Sequence, residues 1–81
     1  MSGQLHTPEY QQFLARLKAA RKQAGFTQLD AAQRLGKPQS YISKCESGER
    51  RVDAVELAAF ATLYGVKVDE LLSDGGSCLN V

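Results

Sequence analysis

The sequence predicts a small all-α domain of five short helices. Three observations indicate this class: apolar residues recur at helical spacing, glycines and capping residues separate the apolar segments, and no segment alternates like a strand. A chain of 81 residues suffices for one compact domain with a single core. We expect residues 1–6 to form a flexible N-terminal segment, 7–73 the folded domain and 74–81 a flexible tail.

The first helix is predicted to begin after Thr7, which can accept a hydrogen bond from a free helical N–H. Pro8 suits the first helical position because no N–H is needed there. Apolar residues then follow at helical spacing along one face, namely Tyr10, Phe13, Leu14 and Leu17. Gly25 should end this helix, since glycine adopts a positive φ without strain.

The second helix is predicted from a capping box, in which Thr27 caps the helix and Asp30 reaches back to the Thr27 N–H. Gly36 should end it. Helical spacing places three residues on its inward face, namely Leu29, Ala32 and Leu35.

The third helix is predicted over residues 38–47, with Pro38 at its first position and Gly48 ending it. A loop over 49–52 follows.

Asp53 and Glu56 form a second capping box ahead of a fourth helix, residues 54–64. That helix is apolar almost all round, which predicts enclosure on several sides. A last short helix is predicted over residues 68–72.

The segment from Gln28 to Cys45 has the pattern of a tight helix-turn-helix. Ala32 is small enough to let two helices cross closely, and Gly36 supplies the turn between them. Ile42 and Cys45 lie on the inner face of the second of these helices.

From about Phe13 to Leu72 the chain resembles the phage repressor/Cro-like helix-turn-helix regulators, also called the xenobiotic-response-element (XRE) family. The residues that carry the resemblance are Arg21, Thr27-Gln28, Ala32, Leu35-Gly36, Gln39-Ser40, Ile42-Ser43, Glu46, Gly48, Leu57, Phe60, Ala61, Gly65-Val66 and Leu71-Leu72. The resemblance implies a repressor-like regulator that binds specific double-stranded DNA sequences. Its recognition helix, residues 38–47, would lie in the major groove.

The resemblance also implies roles for individual residues. The positions implied to read base edges are Gln39, Ser40, Ser43 and Lys44. Those implied to contact the DNA backbone are Thr27, Gln28, Arg50 and Arg51. Arg21 and Glu46 match an internal ion pair of relatives, and helical spacing places both on inward stripes.

The same residues also have simpler interpretations that require no specific function. The polar residues of the third helix could be a solvated face, and Arg50 and Arg51 could be solvated loop residues. Cys45 could be a redox sensor but is better explained as a small buried apolar residue. The sequence leaves a Cys45–Cys78 disulfide open, without supporting it.

The charges of the chain are unevenly distributed. Residues 1–51 hold nine basic and four acidic side chains, whereas residues 52–81 hold one and five. This asymmetry is compatible with binding a polyanion on one face. No apolar run is long enough to span a bilayer, and no leader pattern opens the chain, so we expect no membrane partner. Two cysteines in a domain this small favour the reducing cytoplasm.

The residue inventory disfavours an enzyme. No His, Cys and carboxylate set has nucleophile–base spacing, and no glycine-rich loop follows a strand. Soft ligands are too few for a structural zinc site. We therefore expect no catalytic residues, no metal and no cofactor.

A homodimer is expected, because one recognition helix reads too few bases for specific affinity. Its candidate interface is apolar and comprises Val55, Ala59, Leu63, Leu71 and Leu72. The dimer would occupy a near-palindromic operator. Two alternatives are an antitoxin or accessory subunit with a protein partner, such as a toxin or polymerase, and the DNA-binding part of a longer regulator.

Overall fold

The computed structural model describes residues 7–73, which form five α-helices and no strand. The helices are α1 Pro8–Gln23, α2 Gln28–Leu35, α3 Gln39–Ser47, α4 Ala54–Tyr64 and α5 Val68–Leu72. The predicted all-α class and the five helices are therefore confirmed. Both predicted flexible segments, 1–6 and 74–81, lie outside the described residues, as does Cys78. Within residues 7–73 no helix is long and apolar enough to cross a membrane.

Local side-chain capping sets the starts of α1, α2 and α4. The Thr7 hydroxyl accepts a hydrogen bond from the Tyr10 N–H at 3.1 Å, with Pro8 in the first turn of α1. Complete capping boxes open α2 and α4, so the predicted caps at Thr27 and Asp53 are both present. Gly36 ends α2 with φ 70°, the left-handed conformation that this turn requires.

The start of α3 differs from the prediction by one residue. Pro38 is not the first helical residue but the residue before it, with an extended backbone at φ −70° and ψ 157°. Its carbonyl accepts the first hydrogen bond of the helix, from the Tyr41 N–H at 3.0 Å. Because proline has no polar side chain, no side-chain hydrogen bond caps α3.

The predicted inward face of α2 is partly wrong. Leu29 is 50 % exposed, and Ala31 takes the buried position together with Ala32. Two small buried residues let α2 approach α3 and α4 closely, which a leucine in the same place would prevent.

The prediction that α4 is enclosed on several sides is also wrong. Phe60, Ala61 and Tyr64 are buried, but Val55 is 79 % exposed and Ala59 is exposed as well. Within residues 7–73, α4 contacts α1, α2 and α5 on its buried side. Its other side is therefore an open, mainly apolar face.

The core lies where α1 meets α3, α4 and α5. Its largest fully buried side chains are Leu17, Ile42, Cys45, Phe60 and Leu71. Since Ile42 and Cys45 anchor one side of α3 in this core, the opposite side of α3 is turned to solvent.

Candidate nucleic-acid interface

The exposed side of α3 carries a continuous polar face. Its members are the four positions implied to read base edges, Gln39, Ser40, Ser43 and Lys44, and all four are exposed. Residues at this spacing share one face of a helix. The structure therefore brings an amide, two hydroxyls and an ammonium group together on the exposed side of one helix.

A buried ion pair holds α3 against α1. The Arg21 Nε donates to Glu46 Oε2 at 2.6 Å, and Arg21 Nη2 donates to Glu46 Oε1 at 3.1 Å. The two residues are only 7 % and 5 % exposed. The hydrogen bond to Glu46 raises the pKa of Arg21, against the opposing effect of burial. Arg21 also donates to the Phe26 carbonyl at 2.9 Å, so the loop before α2 is joined to the pair.

A chain of hydrogen bonds leads from this pair to the surface. Gln28 Nε2 donates to Glu46 Oε1 at 3.1 Å, and Gln39 Nε2 donates to Gln28 Oε1 at 3.4 Å. We call Arg21, Glu46, Gln28 and Gln39 the polar relay. It connects the core to the first residue of α3.

The start of α2 is held by its own capping box. The Thr27 hydroxyl accepts from the Asp30 N–H, and the Asp30 carboxylate accepts from the Thr27 N–H, both at 3.0 Å. Hydrogen bonding from the Thr27 backbone N–H, and then from the Thr27 side chain, lowers the pKa of the Asp30 carboxyl. Gln28 lies at the first position of this helix, where a helix N-terminus favours a phosphate.

The loop between α3 and α4 is held by two tyrosines. Arg50 Nη1 lies 2.8 Å from both carboxylate oxygens of Glu56, and its guanidinium lies over the Tyr41 ring at 4.9 Å. The Tyr10 hydroxyl accepts from the Val52 N–H at 3.1 Å. The Arg51 guanidinium lies over the Tyr10 ring at 5.4 Å. Both arginines implied to contact the DNA backbone are thus exposed, and each is held in place by its contact with a tyrosine ring.

Sequence reasoning missed Tyr41 and Lys37. The Lys37 ammonium lies 5.2 Å from the centre of the Tyr41 ring, so this ring holds cations from both ends of α3. Burial raises the pKa of Tyr41 above its ordinary value. The sequence signal for this contact was the short spacing between Lys37 and Tyr41, which brings the ammonium group close to the ring at the start of α3.

Cys45 is fully buried, and burial raises the pKa of its thiol. The interpretation as a small buried apolar residue agrees with this position, since a redox sensor needs an accessible, acidic thiol.

The candidate dimer residues divide into two groups. Val55, Ala59 and Leu72 are exposed and Leu63 is half-buried. Leu71 is only 1 % exposed and belongs to the core, so it offers little surface to a second copy.

Comparisons with known proteins agree with this arrangement. A family described as a helix-turn-helix domain matches residues 12–73. The HTH-type transcriptional regulator ImmR of Bacillus subtilis (strain 168) is 40 % identical over 57 residues, which cover 70 % of this chain and 45 % of ImmR. The chain thus spans less than half the length of that regulator.

A solved structure of similar size agrees over nearly the whole chain. It is an XRE-family like protein from Pseudomonas syringae pv. tomato str. DC3000, with 40 % sequence identity and a TM-score of 0.80. The match covers 95 % of this chain and 94 % of that one. The chain therefore belongs to the XRE/Cro-like helix-turn-helix family of DNA-binding transcription regulators.

Proposed function

We propose that this regulator reads a specific double-stranded DNA sequence by inserting α3 into the major groove. The observation that carries the proposal is the exposed polar face of α3, which is anchored from behind by a buried ion pair. An α-helix with one exposed polar face is an element that fits this groove.

The side chains of that face suit base edges. The Gln39 amide can pair with the N6 and N7 atoms of adenine, and the Lys44 ammonium can donate to the guanine acceptors O6 and N7. Ser40 and Ser43 can donate or accept at any base.

The cations around α3 suit phosphates. Arg50 and Arg51 lie in the loop that follows α3, and Lys37 lies in the turn that precedes it. With Thr27 and Gln28 at the start of α2, they would position the helix on the DNA backbone without reading sequence.

We further propose that the protein acts as a homodimer in the cytoplasm and represses by occupying a near-palindromic operator. The open apolar face of α4, with Val55 and Ala59, supports self-association, and Leu72 of α5 is a further exposed apolar residue. Two recognition helices about 34 Å apart would enter successive major grooves.

Binding-site selection from a random duplex library tests the proposal. We expect the selected site to bind at least about a thousandfold more tightly than shuffled DNA. Affinity should fall with salt, with a log–log slope of about 0.9 for each phosphate contacted. Equal affinity for the selected and shuffled sequences would contradict sequence reading. A flat salt response would contradict the phosphate contacts.

The same open face of α4 supports a second candidate function, an antitoxin or accessory subunit that binds another protein such as a toxin or polymerase. Purification from the native host distinguishes the two. A stable complex with a different protein in place of the homodimer would favour this second function.

A further inference from the structure

We infer that Glu46 is a positioning residue that fixes the orientation of the Gln39 amide through Gln28, and so decides which way round an A·T pair is read. The inference rests on the proposed function, in which Gln39 faces base edges. The hydrogen bonds of the polar relay are observed; we infer that they fix the direction in which each glutamine amide points.

The direction follows from what each group can do. An ionised carboxylate only accepts hydrogen bonds, so the Gln28 group that faces Glu46 must be the NH₂, here at 3.1 Å. The Gln28 carbonyl oxygen then points away from Glu46. The group of Gln39 that meets this oxygen must again be the NH₂, at 3.4 Å. One carboxylate thus orients two successive amides.

Arg21 makes Glu46 a dependable acceptor. The guanidinium donates to both carboxylate oxygens, and the pair is buried away from water. A charged acceptor of this kind keeps Gln28 from turning, since a reversed amide would place its oxygen against a carboxylate oxygen.

A fixed Gln39 amide presents its donor and acceptor to the major groove in one order only. After its bond to Gln28, Gln39 keeps one N–H and its carbonyl oxygen for the groove. The major-groove edge of an A·T pair presents, in order, adenine N7 as acceptor, adenine N6 as donor and thymine O4 as acceptor. An amide whose donor and acceptor ends are fixed matches this order in one direction only. An amide free to turn would match both A·T and T·A.

Two variants separate the links of the relay. Gln28→Met breaks the link to Gln39 and leaves the ion pair in place. The double variant Arg21→Met/Glu46→Leu removes the ion pair and leaves both glutamines. Gln39→Ala first identifies the base pair that Gln39 reads in the selected operator. The readout is the ratio of Kd values for operators that carry A·T and T·A at that pair.

We expect the wild-type ratio to be about tenfold to a hundredfold. In both variants the ratio of Kd values for the A·T and T·A operators should fall to about twofold. Discrimination at the base pair read by Lys44 should stay unchanged. A merely structural role would change discrimination at both base pairs equally.

Several results would overturn the inference. One is a double variant that keeps native helical circular dichroism and the wild-type ratio. Should the double variant not fold, a wild-type ratio in Gln28→Met alone is equally decisive. A wild-type protein without preference at any base pair would overturn the proposed function itself, and the inference with it.

Discussion

At the residue scale, the main finding is that Arg21 and Glu46 lie inside the domain rather than at its rim. Burying two charges is costly, and their attraction offsets this cost only while both are present. The pair also joins α1 to α3, the helix proposed to read base edges.

We therefore predict strongly non-additive effects on stability. Arg21→Met and Glu46→Leu should each lower the free energy of unfolding by about 3–5 kcal/mol, since each leaves a buried charge unpaired. The double variant should lose less than the sum of the two. Urea unfolding followed by circular dichroism measures all three. Arg50→Met is the control, because it removes a more exposed partner of Glu56 and should cost less than either single change. Small, additive losses would show that the pair is only a surface contact.

Substitution of Tyr64, unlike that of Arg21 or Glu46, is predicted to increase the stability of the protein. Its hydroxyl is buried with no hydrogen-bond partner among residues 7–73, and burial raises its pKa to about 12. Because an unsatisfied buried hydroxyl is unfavourable, Tyr64→Phe should stabilise the protein by about 1 kcal/mol. The control is Tyr10→Phe, which removes the acceptor of the Val52 N–H and should destabilise. Thermal unfolding compares them. A Tyr64→Phe variant less stable than wild type would reveal an important partner for this hydroxyl.

At the element scale, Glu56 connects α4 to the loop that precedes it. Its carboxylate accepts from the Asp53 N–H at 3.0 Å and pairs with Arg50. The hydrogen bond from Arg50 lowers the pKa of Glu56 from 4.5 to about 2. One side chain thus caps a helix and fixes a loop arginine implied to contact DNA.

This shift predicts how stability depends on pH. A carboxyl group with a lowered folded-state pKa binds protons more readily when unfolded. Its stabilising contribution is therefore complete above pH 4.5 and is lost as the pH falls towards about 2. Urea unfolding between pH 2 and 6 measures this loss. Glu56→Gln should weaken the pH dependence but not abolish it, because the pKa of Asp30 is also lowered. An unchanged slope would contradict the role given to Glu56.

Helix boundaries were predictable from the sequence because caps are local. The capping boxes at Thr27 and Asp53 each depend on residues three apart, and both form as predicted. Burial was less predictable. Leu29 is exposed and Ala31 buried because the distance between helices favours small residues there, which periodicity alone does not show.

The sequence also predicted part of the candidate site, namely which helix face is exposed, but not the contacts that support it. The resemblance points to the polar face of α3, and the structure exposes that face. The bond between Gln28 and Glu46 and the place of Arg50 over Tyr41 were not predictable from composition or spacing. Both depend on how separate helices pack together.

At the scale of the whole molecule, the open face of α4 predicts self-association. We expect two copies on a full operator, and Val55→Asp should reduce this number to one by placing a charge on the apolar face. Analytical ultracentrifugation of the DNA complex measures the stoichiometry. Ala15→Asp, an equal charge on an exposed position of α1, is the control and should leave two copies. One wild-type copy on a full operator would refute the dimer.

The central claim is that α3 reads base edges, and a position-by-position affinity measurement with Lys44→Ala tests it most directly. Each base pair of the selected operator is replaced in turn, and Kd is measured for wild type, Lys44→Ala and the control Lys67→Ala, which lies just before α5. The account predicts that Lys44→Ala loses about 1–3 kcal/mol of discrimination at one base pair of each half-site. Lys67→Ala should match wild type at every position. Equal weakening of all sequences by Lys44→Ala would make Lys44 a phosphate contact and contradict the account.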